Sequence, residues 1–482
     1  MGLNSFKFLI WFFIIFLIMA ILEKIKKYTK KRIFERFQIF ILLISSYIFI
    51  STFNWKFCIC IGITTILTYY LGIYIEKYNS DIKIKKIITC IGIIGLIVTL
   101  GYFKYTNFFI ESITKIFNVE AKTLNIILPI GISFYIFSAL SYIIDIYHNK
   151  YQSEKNLIDF ALYISFFPKL TAGPIVREDE FIPQIKKYNG ITVSNFATGI
   201  QIFIFGLFKK IVLADRLGVF VDDIFWAPLA YNTMTVIWGI ISYSLQIYFD
   251  FSGYSDMAIG ISKILGFNFK PNFNLPYIAN GISDFWKRWH ISLSSWFRDY
   301  LYFPLGGNRK GKIRTYINLI MVMLVSGLWH GAGITFIIWG LLHGIMNSIE
   351  KIAIDNKINI PKWANIPLTY IFVSLSWVIF RADTIENAVD VFKSAFTIHG
   401  GISQYYTWTF FAIICLTIST IMAYLNSKKI NTVKPKEKIS VNGYYKIMDL
   451  SKISSLIIFF TTCGLIMILA YFGDTSFIYG SF

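Results

Sequence analysis

The sequence predicts an all-α protein that crosses a membrane many times, and three observations carry that class. Of 482 residues, 56% are hydrophobic and only 15% are charged, with a mean hydropathy of +0.59; a single soluble core cannot hide that much apolar surface. The apolar residues fall into continuous runs near the ~20 residues that a helix needs to cross a bilayer. Lys and Arg outnumber Asp and Glu by 46 to 27, and they gather in short connections such as 24–36 and 428–452, as a positive-inside orientation and anionic headgroups favour. No basic domain stands apart from the apolar runs, so nucleic acid is not an expected partner.

The first run, 6–22, has only Lys7 at its start and seven Lys or Arg between Lys24 and Arg36. A secretory signal has the opposite polarity, so the run reads as an uncleaved span with its N-terminus outside. Further runs follow at 38–54, 57–75, 87–105, 124–146, 157–175, 195–213, 232–250, 315–330, 332–347, 366–381, 405–424 and 453–472, thirteen in all. If connections 23–37 and 427–452 are both cytoplasmic, the number of crossings is even, and at least one run does not cross. The expected exception is 157–175, because Phe167-Pro-Lys-Leu-Thr-Ala-Gly-Pro174 puts prolines, a glycine and a lysine where a simple helix has none; broken backbone at membrane depth needs protein or a wet cavity around it.

Runs 315–330 and 332–347 meet at Gly331-Ala-Gly333 and predict a hairpin dipping to the midplane. Between the bundles, Phe251-Ser-Gly-Tyr-Ser-Asp256, 268–276 and 304–311 read as loops, and 282–302 as one amphipathic interfacial helix with its tryptophans at headgroup level. Cys58, Cys60, Cys90, Cys415 and Cys463 lie in apolar stretches without paired spacing, as small core residues do. The chain thus reads as one membrane domain, 1–482, with N-terminal helices at 1–150, a motif-dense core at 151–350 and C-terminal helices at 351–482.

Two histidines stand out: His290 in Arg288-Trp-His-Ile-Ser-Leu-Ser-Ser-Trp296, and His330 in Ser326-Gly-Leu-Trp-His-Gly-Ala-Gly333. A full charge at bilayer depth costs roughly 2.5–3.5 kcal/mol, so an ionisable group there is by default a functional-site hypothesis. Histidine is neutral near pH 7 at little cost, which suits a buried general base. On physics alone, a structural histidine hydrogen-bonded between helices accounts for His330 equally well. His343 lies about 220° around and ~20 Å along a continuous helix from His330. With no His-x-x-x-His pattern, a metal site is not expected. His148 and His343 read as structural or interfacial, and His399 lies in a polar connection. Asp284 and Arg288 are spaced as helical i,i+4 partners. Gly306-Gly-Asn-Arg-Lys-Gly311 matches no Walker pattern; its basic residues suit headgroups or the phosphates of a cytoplasmic donor.

The motifs together are specific. Trp286-Lys-Arg-Trp-His-Ile-Ser-Leu-Ser-Ser-Trp-Phe-Arg-Asp-Tyr-Leu-Tyr-Phe-Pro-Leu-Gly-Gly-Asn-Arg-Lys-Gly311, Gly327-Leu-Trp-His-Gly-Ala332 and Trp339-Gly-Leu-Leu-His-Gly344 resemble the membrane-bound O-acyltransferase (MBOAT) family, in its alginate O-acetyltransferase-like branch. Phe167-Pro-Lys-Leu-Thr-Ala-Gly-Pro-Ile175, Tyr248-Phe-Asp-Phe-Ser-Gly-Tyr-Ser-Asp256 and Phe477-Ile-Tyr479 extend the match. The resemblance implies a fold of about 11–13 transmembrane or re-entrant helices around a central funnel, in a bacterial plasma membrane. It implies catalytic roles for His330 and His290, no tightly bound cofactor, and acetyl-CoA as a cytoplasmic donor. Also implied are an extracytoplasmic serine hydrolase-like acetyltransferase partner and a surface glycan as final acceptor. D-alanyl transfer to teichoic acid is the nearest rival, since both branches carry the histidine pair; the segment Leu305–Gly311 favours acetyl. A glycan-precursor transporter fits less well, because transporters commonly repeat their motifs in two halves and here they crowd into one block.

Overall fold

The computed structural model describes residues 1–119, 122–171, 173–404, 406–430, 453–471 and 473. The basic connection at 431–452 and Phe477-Ile-Tyr479 lie outside them. Among the described residues every regular element is a helix. Eight are long and apolar enough to cross a membrane, over Phe6–Thr29, Ile33–Ser51, Trp55–Lys77, Ile82–Phe117, Val193–Trp226, Lys312–His330, Ile334–Asp355 and Lys362–Arg381, and three shorter apolar helices accompany them. The chain divides into two compact units, Met1–Ile200 with Ala258–Phe269, and Gln201–Met257 with Lys270–Phe482.

The first unit contains α1 (Phe6–Thr29), α2 (Ile33–Ser51), α3 (Trp55–Lys77), α4 (Ile82–Phe117) and α5 (Ile132–Tyr147), followed by the short α6 (Leu157–Ser165), α7 (Phe167–Leu170) and α8 (Glu178–Lys186). Side chains of Ser5, Asn54, Asp81 and Asn156 cap α1, α3, α4 and α6 by accepting from first-turn N–H groups. Ile10, Phe13, Ile14 and Leu17 leave one face of α1 apolar and uncovered, as a lipid-facing helix requires, whereas α5 is buried nearly all round. The run at 157–175 does not form one span. Pro168 has no N–H to bond back to Ile164, so α6 ends at Ser165, and α7 begins with the proline in its first turn, where the missing donor costs nothing. Ser46 Oγ accepts the freed N–H of Phe167 at 3.2 Å. Arg36 clamps the buried Asp159 of α6, its Nη1 donating to both oxygens at 2.7 and 2.9 Å.

Helix α9 (Val193–Phe208) runs through a π-helical turn, Lys209–Ala214, into α10 (Asp215–Trp226). Such turns carry one residue more than the helix and are frequent at functional positions. Here the turn carries two adjacent lysines. Lys210 Nζ lies 2.6 Å from Asp215 and 2.6 Å from Asp250, and Lys209 Nζ lies 2.5 Å from Asp256. Asp250 and Asp256 belong to α11 (Thr233–Ile264), so Phe251–Asp256 is helical, not the loop its composition suggests. Its small and acidic residues face inward: Gly253 meets the backbone of Gly206, with room for no side chain, and the aspartates receive the lysines.

After α11 come the short α12 (Ile282–Arg288) and α13 (Ile291–Phe297), then α14 (Lys312–His330), α15 (Ile334–Asp355), α16 (Lys362–Arg381), α17 (Ile385–Phe396), α18 (Thr407–Ile430) and α19 (Ile453–Leu469). The expected hairpin is present as α14 and α15, but each helix is longer than its apolar run and long enough to cross. Glycines set its closeness: a Cβ on Gly327 would fall 2.2 Å from the carbonyl oxygen of Phe336, and one on Gly344 2.7 Å from Cα of Ile320. The segment 282–302 is not one helix. It breaks at Trp289-His290 and ends in a π-helical turn, Arg298–Tyr302.

Candidate active site

His290 occupies that break in the left-handed region, with φ 42° and ψ 55°, a conformation that costs a residue with a Cβ about 1–2 kcal/mol. Neither glycine nor proline marks the spot; a tertiary contact holds it. Asn272 Oδ1 accepts from the Ser292 N–H at 3.0 Å and the Ser292 hydroxyl at 2.9 Å, and its backbone oxygen accepts from the Ile291 N–H at 2.9 Å. The same Oδ1 lies 3.3 Å from His290 Nδ1. An oxygen that only accepts requires the proton on Nδ1, which fixes the tautomer and makes Nε2 the lone-pair nitrogen. The ring is fully buried, and burial pulls its pKa down to about 3, so the imidazole is neutral at any physiological pH.

His330 ends α14 and is 2% exposed. Its ring is walled edge-on by Trp329, Trp339 and Phe380, with centroids 4.9, 5.2 and 5.4 Å away. Trp329 also meets His290, at 5.9 Å, so one indole touches both histidines, 40 positions apart in the chain. Phe251 of α11 closes the other side of His290 at 4.6 Å. Two neutral-capable imidazoles in an apolar, aromatic wall are suited to proton transfer without bulk water, because a buried base keeps its lone pair.

His343, which reads from sequence as structural or interfacial and far from His330 on an unbroken helix, lies in the same aromatic wall. The break at Gly331–Gly333 puts it on a separate helix, and its ring packs on Trp339 at 4.8 Å. Asn272, Trp377 and Phe380 are not legible as site residues, although the polar Asn272 within an aromatic, proline-flanked stretch carries a signal; Trp339 opens one of the motifs that carry the resemblance. Asp284 and Arg288 pair at 3.0 Å as their spacing predicts. His399 is bound at both ring nitrogens, 3.1 Å from Thr233 and 3.1 Å from Ser394, and His148 packs on its neighbour Tyr147. The glycine-rich turn at 306–311 is fastened to α14 by Asn318, which donates to Gly307 O at 2.9 Å.

Residues 150–357, which contain both histidines, match the model of MBOAT, the membrane-bound O-acyltransferase family. The chain is 41% identical over 372 residues to a Pseudomonas aeruginosa protein named probable alginate O-acetylase AlgI, covering 75% of this chain and 70% of that one. It is 37% identical over 406 residues to the peptidoglycan O-acetyltransferase of Helicobacter pylori, covering 78% and 76%. With the teichoic acid D-alanyltransferase of Bacillus subtilis it shares 34% identity over 247 residues, 47% of this chain and 61% of that one.

Proposed function

Because the chain belongs to the membrane-bound O-acyltransferase family, we propose that its reaction is the transfer of an acetyl group from acetyl-CoA, bound at the cytoplasmic side of the bacterial plasma membrane, toward O-acetylation of an extracellular polysaccharide or cell-wall glycan. His330 takes the proton of an acceptor hydroxyl. The oxygen attacks the thioester carbonyl, the carbon–sulfur bond breaks, and the departing thiolate recovers the proton from His330. His290, neutral and with its tautomer set by Asn272, orients the acyl group or the hydroxyl across the Trp329 indole. The first acceptor in this reading is an extracytoplasmic serine hydrolase-like acetyltransferase, which passes the acetyl group to the glycan.

The observation that carries the acetyl assignment is the extent of likeness: relatives named for O-acetyl chemistry match three quarters of the chain, and the D-alanyltransferase less than half. Deletion of the protein is expected to remove alkali-labile acetyl esters from a surface glycan, read by mass spectrometry, and to leave teichoic-acid D-alanine unchanged. Loss of D-alanine esters with acetyl groups retained would replace acetyl by D-alanyl in this reading.

A further inference from the structure

Helix α6 packs against both α2 and α3 but is only nine residues long, and a cleft is left beside it in the first unit. At the Arg36 end the cleft is a polar cavity of about 680 Å³, lined by Arg36, Lys155 and Lys186. An apolar cavity of about 640 Å³ adjoins it, walled by Ile44 and Ile48 of α2 and Gly62 of α3. Leu157 and Ile158 of α6 line both. The charges at the polar end are layered. Asp159 and Glu154 are buried, and their cations stand outward: the Arg36 side chain over Asp159 is 52% exposed, and that of Lys186, 2.7 Å from Glu154, is 49% exposed. Lys155 is bound to Glu76 and Ser153. The N–H groups of Lys155 and Asn156 both donate to Glu154 Oε1 at 3.0 Å, and Tyr69 Oη donates to Lys155 O at 2.8 Å, so the loop is fixed from two sides. The carboxylates are therefore engaged from within, whereas the cations keep donors to offer. Arginine has five N–H groups and lysine three; among the described residues Arg36 engages only Nη1, with Asp159, and Lys186 has a single acidic partner.

We propose that this cleft holds one anionic glycerophospholipid of the cytoplasmic leaflet, its phosphodiester on Arg36, Lys155 and Lys186 and an acyl chain along α2 and α3. The basic connection 24–36, which Arg36 closes, orients that end of the cleft to the cytoplasmic surface. Ile44 and Ile48 stand roughly 12 and 18 Å beyond Arg36 along α2 at ~1.5 Å per residue, the depth that an acyl chain reaches in a leaflet whose hydrocarbon is ~15 Å thick. Leu157, Ile158, Ile44 and Ile48 are 41–47% exposed, so the groove opens sideways to lipid, which a soluble phosphate ester does not need. The headgroup follows from the same layering. An ammonium on the lipid requires a carboxylate, but Asp159 and Glu154 lie beneath their own cations and Glu76 is bound to Lys155 and Ser153. A headgroup without an ammonium, as in phosphatidylglycerol, is favoured over phosphatidylethanolamine. The lipid fills the space that the short α6 leaves and ties α2, α3 and α6 together at the membrane surface.

The test places the full chain in nanodiscs of phosphatidylcholine with a trace of phosphatidylglycerol that carries a photoreactive acyl chain, and locates the cross-linked peptides by mass spectrometry. Labelling is expected to concentrate on α2, α3 and the start of α6. Unlabelled phosphatidylglycerol is expected to displace it roughly ten-fold better than phosphatidylethanolamine. Gly62→Leu puts a side chain into the groove from a position where a Cβ meets nothing nearer than Tyr47 Oη at 3.9 Å, so it is expected to fold normally and to lose most of this labelling. Lys155→Gln breaks an exposed pair whose loss costs little stability. It is expected to reduce the preference for phosphatidylglycerol by about five-fold, as loss of one cation at a membrane surface does. Labelling spread alike over the lipid-facing α1 and α4 overturns the proposal, as does labelling unchanged in a folded Gly62→Leu. Equal displacement by the two lipids, or a preference unchanged in Lys155→Gln, overturns it at the headgroup. Displacement by glycerol phosphate as effective as that by the lipid assigns the polar cavity to a soluble phosphate ester and also overturns it. The two variants act at opposite ends of the cleft, so each decides without the other.

Discussion

Gly327 and Gly340 face each other across the α14–α15 hairpin so closely that a Cβ on either would lie 3.3 Å from the Cα of the other. That approach delivers His330 and Trp339 to the same few ångströms, because His330 is three residues beyond one glycine and Trp339 precedes the other. A side chain at either position must spread the helices. Gly327→Val is therefore expected to destabilise the protein by about 1–3 kcal/mol or more through overpacking, with a lower unfolding temperature in detergent and loss of transfer. Gly101→Ala on α4, where nothing lies within 4 Å of the added carbon, is the control and is expected to be neutral or slightly stabilising.

His330→Ala is expected to lower acyl transfer by roughly 10²- to 10⁴-fold, the usual contribution of a positioned general base, while the protein reaches the membrane at its normal level. Transfer from labelled acetyl-CoA in isolated membranes, normalised to protein by immunoblot, checks it; near-wild-type activity would remove His330 from the mechanism.

His290 combines two demands that substitutions can separate. Asparagine tolerates the left-handed backbone and carries an N–H for Asn272, so His290→Asn is expected to unfold near the wild-type temperature yet transfer poorly. A β-branched residue cannot adopt φ 42° without strain, and His290→Val is expected to lose about 1–3 kcal/mol of stability as well. Because burial holds His290 neutral down to about pH 3, its protonation contributes no acid limb to the rate between pH 5 and 9. The residual activity of His290→Asn should thus keep the wild-type pH profile.

Lys169 of α7 is buried, with its ammonium 4.5 Å from the Tyr163 ring and 3.4 Å from Ser138 Oγ. Burial pulls its pKa from 10.5 to about 7, against the raising influence of Glu178; Glu178 itself is pushed up by burial and by the carboxyl of Asp145. Between about pH 7 and 10.5 the unfolded chain holds a proton on Lys169 that the folded protein lacks, so this residue makes stability rise with pH across that window. Lys169→Met abolishes that contribution. Its unfolding temperature should exceed the wild type's most at pH 6–7, and the difference should shrink toward pH 10. A gap that widens with pH would contradict the assignment.

The long spans were legible because lipid contact demands unbroken apolar sequence, which Phe6–Thr29 or Trp55–Lys77 displays without help from the rest of the chain. The failure of 157–175 to span was legible for a covalent reason, the absent N–H of Pro168. Phe251–Asp256 misleads because Ser, Gly and Asp mark two environments alike: a solvated turn, and a helix face pressed against another helix and its lysines. The break at His290 left no trace, since its cause is Asn272, 18 residues away, and local sequence cannot report a distant hydrogen bond. One continuous helix would hold His343 far from His330; the reversal at Gly331–Gly333 is legible in the sequence, but which rings it brings together is not.

The Lys210 triad has a consequence for how the chain enters the bilayer. Asp215 follows Lys210 by five residues on the same helical stretch, whereas Asp250 arrives forty residues later. The lysine can therefore leave the translocon already neutralised by a partner synthesised almost with it, at a far lower insertion cost than a lone ammonium. The second carboxylate joins only when the next helix docks. Asp215 thus serves the nascent chain and Asp250 the assembled protein, and loss of the first should show as mistargeted or degraded polypeptide while loss of the second shows only after assembly.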